Sequence, residues 1–380
     1  MKQTFALFIQ QLIKQSSHTT EHIMLEEIKR HNSAGRWWKE NIKQFSIESS
    51  QYPYLKVEKK VNHHQLIMMA YHAPNFSSAF NTAYQFALRL VFPNLNDQEL
   101  ACLCVSEKAG NNPKSIESTL YNNKLTGHKS FVTCTKQLDS LFIMAKTLIK
   151  DETSTLSQNK AGKEAKNQNT TEHHTLRIIK ISHIQNLIKQ QREDFNLSCS
   201  ALLAKTLPKE LTTNSDMEHS TKYNKNNTLN VFMTELEKGQ LNLKEFDINI
   251  HNAEVFPENA HSYYSKPFSV AEGLCMRIAS LSYVLKCAVV FSWPKPLQAD
   301  IIFQITALST LVEQSKSPMT QIMIDAQDRM LKQNIQQIEE LCKHAPVEFQ
   351  EHWKNNKLWF FMDVKYREKR LINAWQTLSN

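Results

Sequence analysis

The sequence predicts an α+β protein in which a strand-rich middle lies between two helical regions. Three observations carry this. Apolar residues keep helical spacing from the N-terminus to about residue 100. From about residue 101 the apolar residues gather in short runs separated by polar turns. Past Pro267 the helical spacing returns and holds to the C-terminus. The expected layout is a helical region over 1–100, a β-region over 101–265 and a second helical region over 266–380.

Each element has its own signal. Phe5, Phe8, Ile9, Leu12 and Ile13 follow a 3.6-residue period and mark a first amphipathic helix. Gln10 and Gln11 interrupt its apolar patch and no small-residue cleavage site follows, unlike a signal peptide. Phe80, Tyr84, Ala87 and Leu88 form another stripe, which Pro93 ends. The adjacent pair His63-His64 does not share a helix face, so it is a poor metal pair. Leu103 and Val105, Phe131 and Val132, Leu141 to Ile143, and Leu176 to Ile181 read as strands. Asp247-Ile248-Asn249-Ile250 alternates polar and apolar residues and reads as one more. Residues 151–175 are polar and cannot bury enough surface to offset chain entropy, so a mobile insertion is expected there. The stretch 212–228 is similar. Leu274, Ile278, Leu281, Leu285 and Ala288 then stripe a long helix, after which Pro294 and Pro296 break the chain. A further helix runs from Ile301 to about Gln314. Ser317-Pro318 supplies a cap followed by proline at the first helical position. Ile324, Leu331, Ile335, Ile338 and Leu341 stripe the helix that follows, Pro346 closes it, and a last short helix ends in Leu371, Ala374 and Trp375. Such stripes are packing surfaces.

Composition narrows the function. The chain is 41% hydrophobic and 22% charged, as soluble globular proteins are. Its 45 basic and 37 acidic residues leave a formal charge of +8. The lysines are scattered and no basic block is interleaved with aromatics, so no nucleic-acid partner is expected. A small acidic molecule carrying phosphates suits this balance. The seven cysteines form no Cys-x-x-Cys pair and are odd in number, which argues against a zinc ribbon and a disulfide framework and for a cytoplasmic setting. Cys102 and Cys104, two apart on a strand, point to one face as small buried hydrophobes. No run of about 18 apolar residues occurs, so no membrane span is expected, and the cysteine and histidine spacings lead to no metal site being expected.

Three motifs, in order, carry a resemblance. The first is Cys104-Val105-Ser106-Glu107-Lys108-Ala109-Gly110-Asn111-Asn112, followed by Ile116-Glu117-Ser118 and Thr126-Gly127-His128-Lys129-Ser130-Phe131-Val132-Thr133-Cys134. The second is Asn249 to Ala260, with Val255-Phe256-Pro257-Glu258-Asn259 at its centre. The third is Phe291-Ser292-Trp293-Pro294-Lys295-Pro296-Leu297. Together they cover most of the chain and resemble the acyl-CoA dehydrogenases, whose patterns read C-V-T-E-P-x-A-G-S-D with N-G-x-K-x-W-I-T-N, F-x-D-V-x-V-P-x-E-N-x-L, and R-x-x-F-G-K-P-L.

The resemblance implies a flavoprotein that uses FAD to oxidise the CH–CH group of an acyl-CoA or similar thioester. It also implies a homo-oligomer that passes electrons to an electron-transferring flavoprotein. Ser106, Gly110, Asn111, Phe131 and Thr133 match the family's flavin-binding positions, with Ser106 in place of threonine and Phe131 in place of tryptophan. The tail from Lys354 to Lys365 lines up with the family's base motif without a gap, and Asp363 falls on the catalytic base, one methylene shorter than glutamate. Other members carry the base just before an arginine on the first C-terminal helix; Met276 precedes Arg277 here, and Glu272 lies more than a turn earlier. Val290 stands where the family's arginine reaches a neighbour's flavin pyrophosphate, and no Q-x-x-G-G stretch follows. These departures leave two function classes open: a flavin-dependent dehydrogenase, and a non-catalytic or repurposed scaffold of the same fold.

Overall fold

The computed structural model describes residues 2–15, 19–29, 33–50, 63–149, 173–199, 239–251, 253–312, 318–357 and 364–379. Five helices come first: α1 (Lys2–Gln15), α2 (Glu21–Lys29), α3 (Ala34–Ser50), α4 (His63–His72) and α5 (Phe76–Val91). Eight strands follow: β1 (Ala101–Cys104), β2 (Thr119–Tyr121), β3 (Lys124–Val132), β4 (Ser140–Ile149), β5 (His173–Ser182), β6 (Phe195–Cys199), β7 (Gly239–Asp247) and β8 (Glu254–Val255). Short α6 (Ile184–Lys189) lies between β5 and β6. A π-turn at His261–Ser265 leads into α7 (Lys266–Val290), α8 (Lys295–Leu311), α9 (Pro318–Cys342), α10 (Val347–Asn356) and α11 (Val364–Ser379). The order helices, strands, helices is the expected one.

The strands form one mixed sheet in the order β6-β7-β3-β2-β4-β5-β8, with β1 added against β4. β4 organises it. One edge pairs antiparallel with β5 from Ser140↔Ser182 to Ile149↔His173. The other edge is shared: β1 runs parallel along Ser140–Ile143, and β2 runs parallel at Lys146 and Thr147. Chain 105–118 therefore leaves and re-enters the sheet at a gap opposite Met144. The β2–β3 hairpin turns at Asn122 and Asn123, both with positive φ (46° and 62°), as a two-residue turn between twisted strands requires.

Packing joins the two ends of the chain. The stripe Leu274, Ile278, Leu281, Leu285 and Ala288 on α7 is buried, and α7 packs against α4, α5 and α8. α7 with its π-turn is long and apolar enough to cross a membrane by composition, but 78% of its apolar window is buried inside the protein, as in a core helix. Cys102 and Cys104 lie buried on one face with their sulfurs 4.0 Å apart, as their spacing requires.

Some boundaries differ from expectation. Asp247–Ile250 is not a strand: β7 ends at Asp247 and a turn follows, because the apolar partners of β3 are Leu241, Leu243 and Phe246. His173–Thr175 open β5 instead of closing a loop, since Leu148 and Ile149 pair with them. The rest of the expected mobile insertion falls among residues 150–172, outside the described residues, as does 212–228. The helix expected from Ile301 begins at Lys295, directly after Pro294. A helix not expected at all, α10, follows Pro346 and buries Phe349, His352, Trp353 and Asn356 on one face.

Candidate functional site

The flavin-position residues fall on the seam where the end of β3 passes β1. Ser130 N donates to Ser106 O at 2.9 Å. Farther along, Thr133 N and Oγ1 donate to Cys102 Sγ at 3.4 and 3.5 Å. Ser106, Phe131 and Thr133 are thus brought together, the first two half-buried and Thr133 buried. Gly110 and Asn111 sit farther out, on the turn that follows Ser106. Glu107 and Gly110 exchange two backbone hydrogen bonds of 2.9 Å to close that turn. Gly110 has φ +106°, a conformation L side chains rarely adopt, with nothing within 4 Å of where a Cβ would stand. Asn111 is exposed.

A buried ion pair fixes this turn, and it was not identified from the sequence. Lys129 fills the gap in the sheet: its Nζ donates to Met144 O at 2.6 Å and to Glu107 Oε1 at 2.5 Å. Glu107 also accepts from Glu117 N (2.6 Å), Ser118 N (3.2 Å) and Ser118 Oγ (2.6 Å). Burial alone would raise the Glu107 carboxyl, but the bonds from Lys129 and Ser118 outweigh it and hold the carboxyl below its ordinary range. Both residues lie inside the first motif; their spacing of 22 residues gives no periodic signal.

The other wall of the seam comes from α5. Gln85 Nε2 donates to Ala101 O at 2.9 Å while Ala101 N donates to Gln85 Oε1 at 3.2 Å, and Leu103 N donates to Tyr84 Oη at 2.9 Å. These side chains occupy the edge of β1 that no strand covers. The Tyr84 hydroxyl lies 3.5 Å from Cys102 Sγ, and its ring meets Phe268 of α7 edge-on at 5.3 Å. Burial pushes the Tyr84 phenol well up, and the nearby Cys102 and Glu272 add to this. Glu272, one turn beyond Phe268, is half-buried. Met276 is half-buried, and the adjacent Arg277 is spent on Asp328 of α9 at 2.7 Å and on Gly273 O at 2.6 Å. Asp363 lies outside the described residues.

The other two motifs are structural. Phe256 N donates to Ile178 O, and the Phe256 ring packs on Phe92 and Tyr264 at 5.8 and 5.5 Å. Phe291 and Trp293 pack on Phe349 of α10 at 4.6 and 6.2 Å, turning the chain from α7 into α8.

The turn fits a flavin's phosphates: a left-handed glycine in open space, an exposed asparagine and a half-buried serine can approach them without steric cost. Thr133 fits less well, because its hydroxyl is directed onto Cys102.

The fold is that of the acyl-CoA dehydrogenases, and the structural neighbours are flavoproteins of that type. Apo-form PigA matches with a TM-score of 0.55 at 10% identity, over 99% of this chain and 97% of that one. Butyryl-CoA dehydrogenase from Megasphaera elsdenii matches with 0.55 at 11% identity, over 99% and 98%. The electron transferring flavoprotein of Acidaminococcus fermentans matches with 0.55 at 9% identity, over 99% and 98%. No family model and no curated protein matches the sequence. At these identities the likeness establishes the fold alone.

Proposed function

We propose that the protein is a flavin-dependent oxidoreductase that binds FAD along the β1–β3 seam and acts on the CH–CH group of an acyl thioester. The observation that carries this reading is the convergence of Ser106, Phe131 and Thr133 at one seam, with the Gly110–Asn111 turn projecting beside them. Ser106, Gly110 and Asn111 would meet the cofactor's polar groups, and Phe131 would lie against its ring. A flavin held there would supply the acceptor for the hydride leaving the β-carbon. The chain's own part is to hold the thioester and to remove the α-proton with a carboxylate, for which Asp363 is the proposed base. An external electron-transferring flavoprotein would reoxidise the protein.

One observation favours a second reading, a non-catalytic scaffold: the Thr133 hydroxyl is turned inward onto Cys102. Purification separates the two. The oxidoreductase reading expects a flavin absorption spectrum, or FAD uptake by the folded protein at micromolar concentration. It then expects dye reduction with a panel of acyl-CoAs, falling about 100-fold or more in Asp363→Asn. A folded protein that takes up no FAD supports the scaffold. Activity that persists in Asp363→Asn but is lost in Glu272→Gln moves the base to α7.

A further inference from the structure

We propose that the cleft between α3 and the C-terminal end of β5 is a second binding site, for a phosphate-bearing small molecule of about nucleotide size. It lies at the N-terminal end of β1, where Glu99 and Asp139 stand, whereas the Ser106–Asn111 turn follows the C-terminal end of that strand. The cleft is open to solvent, has a volume of about 750 Å³, and every side chain lining it is polar or charged. That volume is in the range of small-molecule sites, and no apolar side chain lines the cleft.

The charge arrangement selects an anion. Lys39 and Lys43 stand four residues apart on one face of α3, and Lys180 and His183 form the opposite wall. The two carboxylates present are already engaged. Asp139 Oδ1 accepts from Lys39 Nζ at 2.7 Å while its other oxygen accepts from Leu100 N at 2.8 Å. Glu99 meets Lys180 Nζ at 3.1 Å, and that ammonium also lies over the Phe142 ring at 5.5 Å. The carboxylates therefore hold two of the lysines in place. Lys43 and His183 are exposed and form no ion pair among the described residues. His183 has a left-handed backbone, φ 59°, and its side chain makes no cap to α6. A non-glycine residue held in that region at the rim of a cleft is a local cost that ligand contact would offset. Lysine ammoniums and an imidazole facing one another across a polar cleft match a phosphate's charge and its several acceptor oxygens.

The test uses the whole chain, with ADP followed by calorimetry and inorganic phosphate as the competitor. Saturable one-to-one ADP binding, competed by phosphate, is expected. Lys43→Glu should weaken it about tenfold or more and His183→Ala several-fold, whereas Lys332→Glu on the exposed face of α9 should change it less than about twofold. No saturable ADP binding up to about 1 mM would overturn the proposal. So would equal weakening in Lys332→Glu, which would mark diffuse charge attraction. Loss of ADP binding in Asn111→Ala with Lys43→Glu unaffected would assign ADP to the β1–β3 seam and also overturn it. The Asn111→Ala arm separates this site from FAD binding at the seam, and no outcome depends on whether a thioester is oxidised.

Discussion

Lys129 shows how one residue can answer a topological problem. β4 loses its neighbour between β1 and β2, and the Met144 carbonyl opposite the gap has no strand to bond. A buried carbonyl without a donor is costly, and the lysine ammonium supplies one. The buried charge then requires a partner, which Glu107 provides while it collects the backbone of Glu117 and Ser118. Lys129→Met should therefore destabilise the protein by about 3–5 kcal/mol in urea unfolding, because it leaves Glu107 charged and buried. The double variant with Glu107→Gln should recover part of that loss. If Lys129→Met is neutral, the pair does not hold the turn. Little of this was legible in the sequence. The motif shows that Glu107 and Lys129 are present, but a pairing across 22 residues depends on where β1 and β2 meet β4. The Cys102–Cys104 face was legible because a strand's period of two fixes it. That Thr133 turns toward Cys102 was not, since a motif places a hydroxyl without giving its rotamer.

At the scale of elements, β1 is a four-residue strand with one edge on β4 and the other on a helix. Gln85 imitates a neighbouring strand there by donating to and accepting from Ala101. Gln85→Leu would leave the Ala101 N–H and C=O buried without partners and should cost about 1–3 kcal/mol for each orphaned group. Hydrogen exchange at Ala101 and Leu103 should report the loss locally. The apolar stripe of α5 is legible in the sequence, yet the same helix carries Asn81, Gln85 and Arg89 at four-residue spacing, all buried. Polar residues at that spacing ordinarily mark a solvated face, so the bonds of Asn81 to Ala34, of Gln85 to β1 and of Arg89 to the carbonyls of Asn96, Asp97 and Glu99 stayed hidden. The long helices α7 and α9 were legible because their stripes continue over many turns. β7 was misplaced because its strand begins inside a polar stretch, where Leu241 and Leu243 alternate with Gln240 and Asn242. β4 and β5 pair up to Ile149↔His173, so the two ends of segment 150–172 are already side by side. Replacing 151–170 by a short turn should leave the melting temperature within a few degrees, since a closed hairpin needs no long linker. A large drop would mean that the segment packs.

On the scale of the whole molecule, the two ends of the chain share one core, because α7 packs on α4 and α5. Two histidines of α4 are enclosed by this arrangement. His64 meets the Phe8 ring edge-on at 5.0 Å, and burial, then neighbouring His63, pulls its pKa down to about 3. His72 stacks on Phe45 at 5.4 Å, and burial, then the Lys286 ammonium, lowers it to about 4. Unfolded histidine titrates near 6.5, so between that pH and the folded values the unfolded chain binds more protons. The stabilisation is thus complete above about pH 6.5 and is lost as the pH falls, by up to about 1.4 kcal/mol per unit for each histidine. From pH 7 to pH 5 the two together should remove up to about 4 kcal/mol. The carboxylates act in a lower window. Glu107, Asp194, Asp247 and Glu258 are all held below their ordinary range by hydrogen bonds, Glu107 against its burial, so their stabilisation is present above about pH 4.5 and fails below it. Urea unfolding measured at pH 7, 6, 5 and 4 should therefore show a loss that begins a full two units before the carboxylates protonate. His251, lowered mainly by burial, contributes in the same direction but is more open to solvent. In the variant His64→Gln with His72→Gln the decline between pH 6.5 and 5 should largely flatten, while the fall below pH 4.5 remains. An unchanged slope in that variant would mean that the two imidazoles reach water in the folded protein and take up protons there as freely as in the unfolded chain.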